Sequence, residues 1–196
     1  MASPELWLLR HGATDWARSG RHTGRTDLPL LPEGEREARA LAPMLAAQDF
    51  AAVLVSPLQR ARRTCELAGL GQQAMVEPKL REWDYGDYEG LRSPEIRAKN
   101  PNFKLFRDGA PNGESIAQIT NRADRVVARL RQSKSNQLVF SSGHFLRVLA
   151  TRWVNQPVGL HCLNFLLNTA SLSALSYEHD RTRPVIALWN DTHHLK

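Results

Sequence analysis

Three places in this sequence put cationic and nucleophilic side chains directly after short apolar runs. The run 6–9 leads into Arg10-His11-Gly12, 52–55 into Ser56-Pro57-Leu58-Gln59-Arg60, and 138–140 into Ser141-Ser142-Gly143-His144. Runs of this length read as strands, and in open α/β sheets ligands bind beyond the carboxyl ends of strands. Two arginines and two histidines would then meet at one end of a sheet. That set suits an anion, because a guanidinium fork matches phosphate oxygens and an imidazole serves as nucleophile or donor. Singly, each residue has a plainer reading, as a structural histidine or as an arginine in a solvated first helical turn. Their equivalent positions are what make them a constellation.

The elements that must position them follow from periodicity. Further apolar runs at 74–76, 172–177 and 185–189 alternate with segments of helical period. This predicts an α/β fold, a three-layer α/β/α sandwich with a mostly parallel central sheet of about six strands. Over 33–47, Ala38, Leu41, Ala42 and Leu45 share a stripe, and Pro43 should kink that helix or end it early. Over 116–130, Ile116, Ile119, Ala123, Val126, Val127 and Leu130 fall on one face. Helices are also expected over 57–68 and 145–154. The stretch 81–113, rich in Pro, Gly, Asn and charge, interrupts the alternation and reads as a small cap or lid within one domain spanning 1–196.

Composition narrows the class. With 42% apolar and 23% charged residues, wholesale disorder is not expected. No run approaches the ~18 apolar residues of a membrane span, and the first five residues lack the pattern of a secretory leader. Two cysteines do not make a disulfide framework, so a reducing, cytoplasmic setting is expected. The net charge of +6 comes from scattered cations, the densest cluster being Arg60, Arg62 and Arg63, with no interleaved aromatics. We therefore expect no nucleic-acid or membrane partner, a small anionic substrate, and a monomer or homodimer.

Four ordered stretches carry a family resemblance. They are Arg10-His11-Gly12-Ala13-Thr14-Asp15-Trp16 with the following Gly20-Arg21-His22-Thr23-Gly24-Arg25-Thr26, then Ser56-Pro57-Leu58-Gln59-Arg60-Ala61-Arg62-Arg63-Thr64, then Leu80-Arg81-Glu82-Trp83-Asp84-Tyr85-Gly86-Asp87-Tyr88-Glu89-Gly90, and Ser142-Gly143-His144. Together they resemble the histidine phosphatase superfamily, which includes the cofactor-dependent phosphoglycerate mutases. The resemblance implies that His11 is a nucleophile forming a phosphohistidine, with Arg10, Arg60 and His144 around the phosphoryl oxygens. It implies that Glu82 is the proton donor, a role that needs a carboxyl raised by burial or anionic neighbours. The cationic side chains stand in for a metal, so no metal or cofactor is expected.

This chain departs from the family pattern in places. Where many members have a phosphate-contacting Asn, it has Ala17, and Ser19 or the backbone at Thr23 and Gly24 are the candidate substitutes. Arg21, His22 and Arg25 either grip a second phosphate or stand as exposed loop residues. Trp83, Tyr85 and Tyr88 either line a sugar-sized pocket or pack under the cap, while Cys162 beside His161 reads as core. Only about 50 residues separate Tyr88 from the strand at 138, too few for the longer insertion of the mutases. The resemblance thus implies the phosphatase branch, with a sugar-bisphosphate phosphatase of the sedoheptulose type or a broad phosphomonoesterase as its forms. The alternatives are a mutase and a non-catalytic phospho-ligand binder.

Overall fold

The computed structural model describes residues 5–196; residues 1–4, most of the stretch searched above for a leader, lie outside them. In chain order the elements are β1 (Leu6–Arg10), α1 (Asp15–Ser19), α2 (Pro32–Ala40), α3 (Ala42–Ala46), β2 (Ala52–Val55), α4 (Gln59–Leu67), β3 (Ala74–Val76), α5 (Ser93–Lys99), α6 (Leu105–Asp108), α7 (Ile116–Leu130), β4 (Gln137–Ser141), α8 (Gly143–Trp153), β5 (Leu172–Tyr177) and β6 (Pro184–Asp191). The strands form one sheet in the order β3-β2-β4-β1-β5-β6. The first four are mutually parallel, β5 runs against β1, and β6 runs against β5. The carboxyl ends of β1, β2 and β4 therefore open on the same edge.

Side-chain alternation along the strands builds two cores. Leu8, Leu54 and Val139 face α7 and α8, whereas Leu9, Val53, Val55, Leu138 and Phe140 pack with Leu41, Leu45, Ala61 and Cys65. The sheet is thus covered on both faces, as the three-layer expectation requires. Among the described residues no helix is long and apolar enough to cross a membrane. Cys65 and Cys162 are both free and buried, and burial pushes the Cys65 thiol up to about 12.

Boundaries moved for identifiable reasons. The first helix ends at Ala40 and a second begins at Ala42, which puts Pro43 in a first turn where its missing N–H costs nothing. The helix expected from 145 starts at Gly143, because a carboxylate from elsewhere in the chain receives the N–H groups of its first turn. The stretch 81–113 holds α5, α6 and a 3₁₀ turn, and its Trp83, Tyr85, Phe103 and Phe106 are buried in the α7–α8 core.

One buried cation ties that stretch to the sandwich. Arg122 of α7 makes two bonds to the Glu114 carboxylate, at 2.6 and 2.8 Å, and donates to the carbonyls of Lys79, Arg81 and Glu82. Burial alone would raise the Glu114 carboxyl, but the Arg122 bonds and charge outweigh it and hold it below its ordinary value. A depressed carboxyl stabilises the fold above its unfolded value near ~4.3, and that contribution is lost as pH falls through the folded value. Glu114→Ala strands the buried guanidinium, so urea unfolding should show a loss of about 3–5 kcal/mol at pH 7. The gap between wild type and variant should narrow below about pH 4; a pH-independent gap would contradict the ion-pair account.

Candidate active site

His11 directly follows the central strand β1 and extends its ladder by one residue. Its N–H donates to Ser141 O at 3.0 Å, and its carbonyl accepts the Ala170 N–H at 3.1 Å. The next two amides are pinned by side chains, Gly12 N–H by Thr64 Oγ1 and Ala13 N–H by Glu37. Gly12 lies so close to α2 that a Cβ there would sit 2.4 Å from Gly34 O, which is why no larger residue fits. The imidazole is 4% exposed and its Nδ1 lies 2.8 Å from Gly12 O. A carbonyl only accepts, so Nδ1 carries the proton and Nε2 keeps a lone pair with no partner among the described residues. Burial, reinforced by Arg60 and Arg10, holds the imidazole well below its ordinary pKa of 6.5. The ring is neutral at neutral pH.

His11 stands on the wall of a cavity of about 200 Å³ together with Arg10, Glu82, Tyr85, His144 and Arg147. Ala17, Arg21, His22 and Thr23 continue the wall, so three guanidinium groups face one carboxylate. Arg10 donates to Leu167 O at 2.5 Å, while its Nε is buried without a partner. The Arg147 side chain makes no hydrogen bond or ion pair among the described residues, and its Nε is also buried and unpaired. Burial lowers the pKa of both arginines, outweighing the opposing charge of Glu82. Sequence reasoning missed Arg147. Its position three residues after His144, on the same helix face, is the signal that could have found it.

Glu82 and His144 meet through the backbone. The Glu82 carboxylate accepts N–H bonds from Trp83 at 2.8 Å, His144 at 3.0 Å and Phe145 at 2.8 Å. The His144 ring has Tyr85 Oη 2.6 Å from its Nδ1 and lies parallel to His22 at 6.0 Å. Burial, then Arg147, His22 and Arg10, hold His144 well below the ordinary histidine value.

Arg60 is fully buried behind the cavity lining, where its charge acts on His11. It braces the loop behind His11, donating to Thr26 O at 2.9 Å, Thr23 O at 2.9 Å and Gly24 O at 3.1 Å. Of the candidate substitutes at Ala17, Ser19 turns away to bond Asp15 O, because a hydroxyl ending a short helix finds the carbonyl four residues back. Gly24 N–H is held by the Glu89 carboxylate, and only Thr23 lines the cavity. Arg21 lines it too, though one terminal nitrogen donates to Gly90 O and lies 3.8 Å from the Glu95 carboxylate. Arg25 instead pairs with Asp84 at 2.7 Å on the exposed side. Trp83 and Tyr88 pack against Phe106 and Phe103 rather than lining the site, and Cys162 is in the core.

Comparison with known proteins adds an independent line. The sequence matches the family model described as "Histidine phosphatase superfamily (branch 1)" over residues 6–192. An acid phosphatase of Mycobacterium tuberculosis is 42% identical, the match covering 89% of this chain and 87% of the relative. A sedoheptulose 1,7-bisphosphatase of Saccharomyces cerevisiae is 35% identical, covering 82% and 71%. Among solved structures, an open-reading-frame product of Mycobacterium tuberculosis superposes with a TM-score of 0.90 at 38% identity, covering 96% of this chain and 98% of that one.

The site geometry makes a measurable claim about His11. In histidine-labelled protein, its NMR titration midpoint should lie below 6.5, since burial between two guanidinium groups penalises the imidazolium. A midpoint at or above that value would mean the ring is solvated in solution.

Proposed function

The chain belongs to the histidine phosphatase superfamily (branch 1) and is a phosphatase of it, and on that premise we propose that it hydrolyses a small phosphorylated metabolite through a phosphohistidine on His11. The observation that carries this reading is a neutral His11 whose free Nε2 shares a cavity wall with three arginines and one carboxylate. In the first step Nε2 attacks phosphorus in line, the ester P–O bond breaks, and Glu82, entering as the carboxylic acid, gives its proton to the leaving alkoxide and becomes the carboxylate. In the second step water attacks the phosphohistidine, Glu82 takes the water's proton, and inorganic phosphate leaves with His11 restored. Arg10 and His144 would stabilise the phosphoryl oxygens directly, and Arg60 would act through the loop it braces and through its charge on His11. The cations make a metal unnecessary in this scheme.

Substrate class follows from the rest of the wall. Arg147 and Arg21 suit a second anionic group, which favours a sugar bisphosphate; a broad range of phosphomonoesters is the other form of the reading. The segment 81–113 acts as the cap of a single domain, since it supplies Glu82, Tyr85 and Ser93 to the wall. Free, buried cysteines suit a reducing compartment, and the reading places the enzyme in the cytoplasm, as a monomer or homodimer without a nucleic-acid partner.

Turnover of p-nitrophenyl phosphate should survive EDTA and fall by more than about a thousandfold in His11→Ala. Loss with EDTA, or a competent His11→Ala, would contradict the reading; bisphosphate-primed interconversion of phosphoglycerates without hydrolysis would identify a mutase. Glu82→Gln should impair alkyl phosphates by about 10²–10⁴-fold and aryl phosphates far less, because a phenolate leaves without protonation. Equal losses would remove Glu82 from the acid role.

A further inference from the structure

We propose that Tyr85 is a positioning residue that fixes the His144 ring as its Nε2–H tautomer, so that a neutral histidine offers a hydrogen-bond donor to the substrate's phosphoryl group. This rests on the phosphatase reading above and assigns Tyr85 a role other than contact with substrate. The tautomer follows from satisfaction of a buried phenol. Tyr85 is 1% exposed, and its hydroxyl has one partner among the described residues, His144 Nδ1 at 2.6 Å. Were Nδ1–H to donate, the phenolic proton would be buried with no acceptor, which folded proteins avoid. With the phenol donating, both groups are satisfied and the ring proton sits on Nε2. Burial also keeps the phenol protonated far above neutral pH.

The ring is held on its other sides as well. His22 lies parallel to it, Phe106 packs at 5.4 Å and Tyr85 meets it edge-on at 5.8 Å. The charged groups around it are Arg147 and Arg10, which oppose an imidazolium, and Glu82, whose carboxylate is occupied by backbone N–H groups. Tyr85 is itself fixed by the turn that follows it. Gly86 has φ of +48°, and a Cβ there would lie 2.1 Å from Pro111 O, so the chain must turn on glycine.

His11 is set the opposite way. Gly12 O accepts a hydrogen bond from its Nδ1–H, which leaves Nε2 with the lone pair, whereas the Tyr85 hydroxyl donates a hydrogen bond to His144 Nδ1, which leaves the ring proton on Nε2. Two neutral histidines on one wall thereby become a nucleophile and a donor, set by one carbonyl and one phenol.

Nitrogen-15 NMR on histidine-labelled wild type, with His144 assigned by its absence in His144→Ala, should show the Nε2–H tautomer. Tyr85→Phe should give a mixture of tautomers and lower kcat/KM for p-nitrophenyl phosphate by about 10- to 100-fold. In a His144→Ala background the same substitution should cost less than about threefold, because the group it orients is gone. An Nδ1–H signal in wild type overturns the proposal even if Tyr85→Phe fails to fold. So do Tyr85→Phe and His144→Ala losses that multiply independently. If wild type turns over and His11→Ala does not, those results sink only the tautomer assignment; failure of wild type itself sinks the phosphatase reading.

Discussion

The site depends on one carboxylate reaching the start of a helix from another part of the chain. The first amides of α8 have no intrahelical acceptor, and Glu82 accepts two of them together with its neighbour Trp83 N–H. Ser142 occupies the N-cap position, yet its side chain makes no capping bond and its hydroxyl is buried without a partner. The Glu82 bond also fixes the geometry of chemistry-bearing residues: it starts α8 at Gly143 and so brings His144 and Arg147 to the cavity. Arg122, gripping the Glu82 carbonyl and the Glu114 carboxylate, holds the strand of chain from which Glu82 projects.

The same device recurs around the cavity and explains its charge. Asp27 receives the Gln59 N–H that opens α4, Glu37 receives Ala13 N–H, and Glu89 receives the amides of Gly24 and Thr26. Acidic side chains near the site thus bond backbone donors, where they hold loops and helix starts. Three arginines have no carboxylate hydrogen-bonded to them among the described residues: Arg60 bonds three carbonyls, Arg10 one, and Arg147 none. Buried or half-buried cations in that condition are costly until an anion joins them. Anion affinity is therefore a consequence of how the loops are held, rather than of the overall net charge.

The strand runs and the amphipathic α7 were legible because alternation and helical period are local signals; Leu8 and Leu9 already announce a sheet buried on both faces. The order of the sheet was not, since β4 inserts between β1 and β2 by pairing across 131 residues of chain to β1 and 85 to β2. Among the candidate residues, the convergence of His11, Arg10 and His144 could be read from strand ends. Where a long side chain points could not: Arg60 follows a strand as expected, but its nitrogens turn to the 23–26 loop. Ser19 and Gly24 were candidates by proximity in sequence, and each is claimed by a local partner that sequence does not reveal. Tyr85 does line the cavity, but that its hydroxyl meets His144 Nδ1 could not be read from the sequence.

Charge in the cavity is divided between groups that titrate near neutrality and groups that do not. His11 and His144 are both held neutral, by burial and by neighbouring arginines, so neither adds positive charge over the ordinary working range of an imidazole. The attraction for a phosphate then comes from guanidinium groups, which stay ionised at any pH where the protein is folded. A protonated nucleophile would be useless and a protonated His144 would have to be desolvated beside Arg147. In the proposed mechanism, keeping both rings neutral avoids each problem, and it would separate two tasks that one histidine could not perform at once: anion binding by fixed charge, and reaction by a lone pair whose availability persists below pH 6.5.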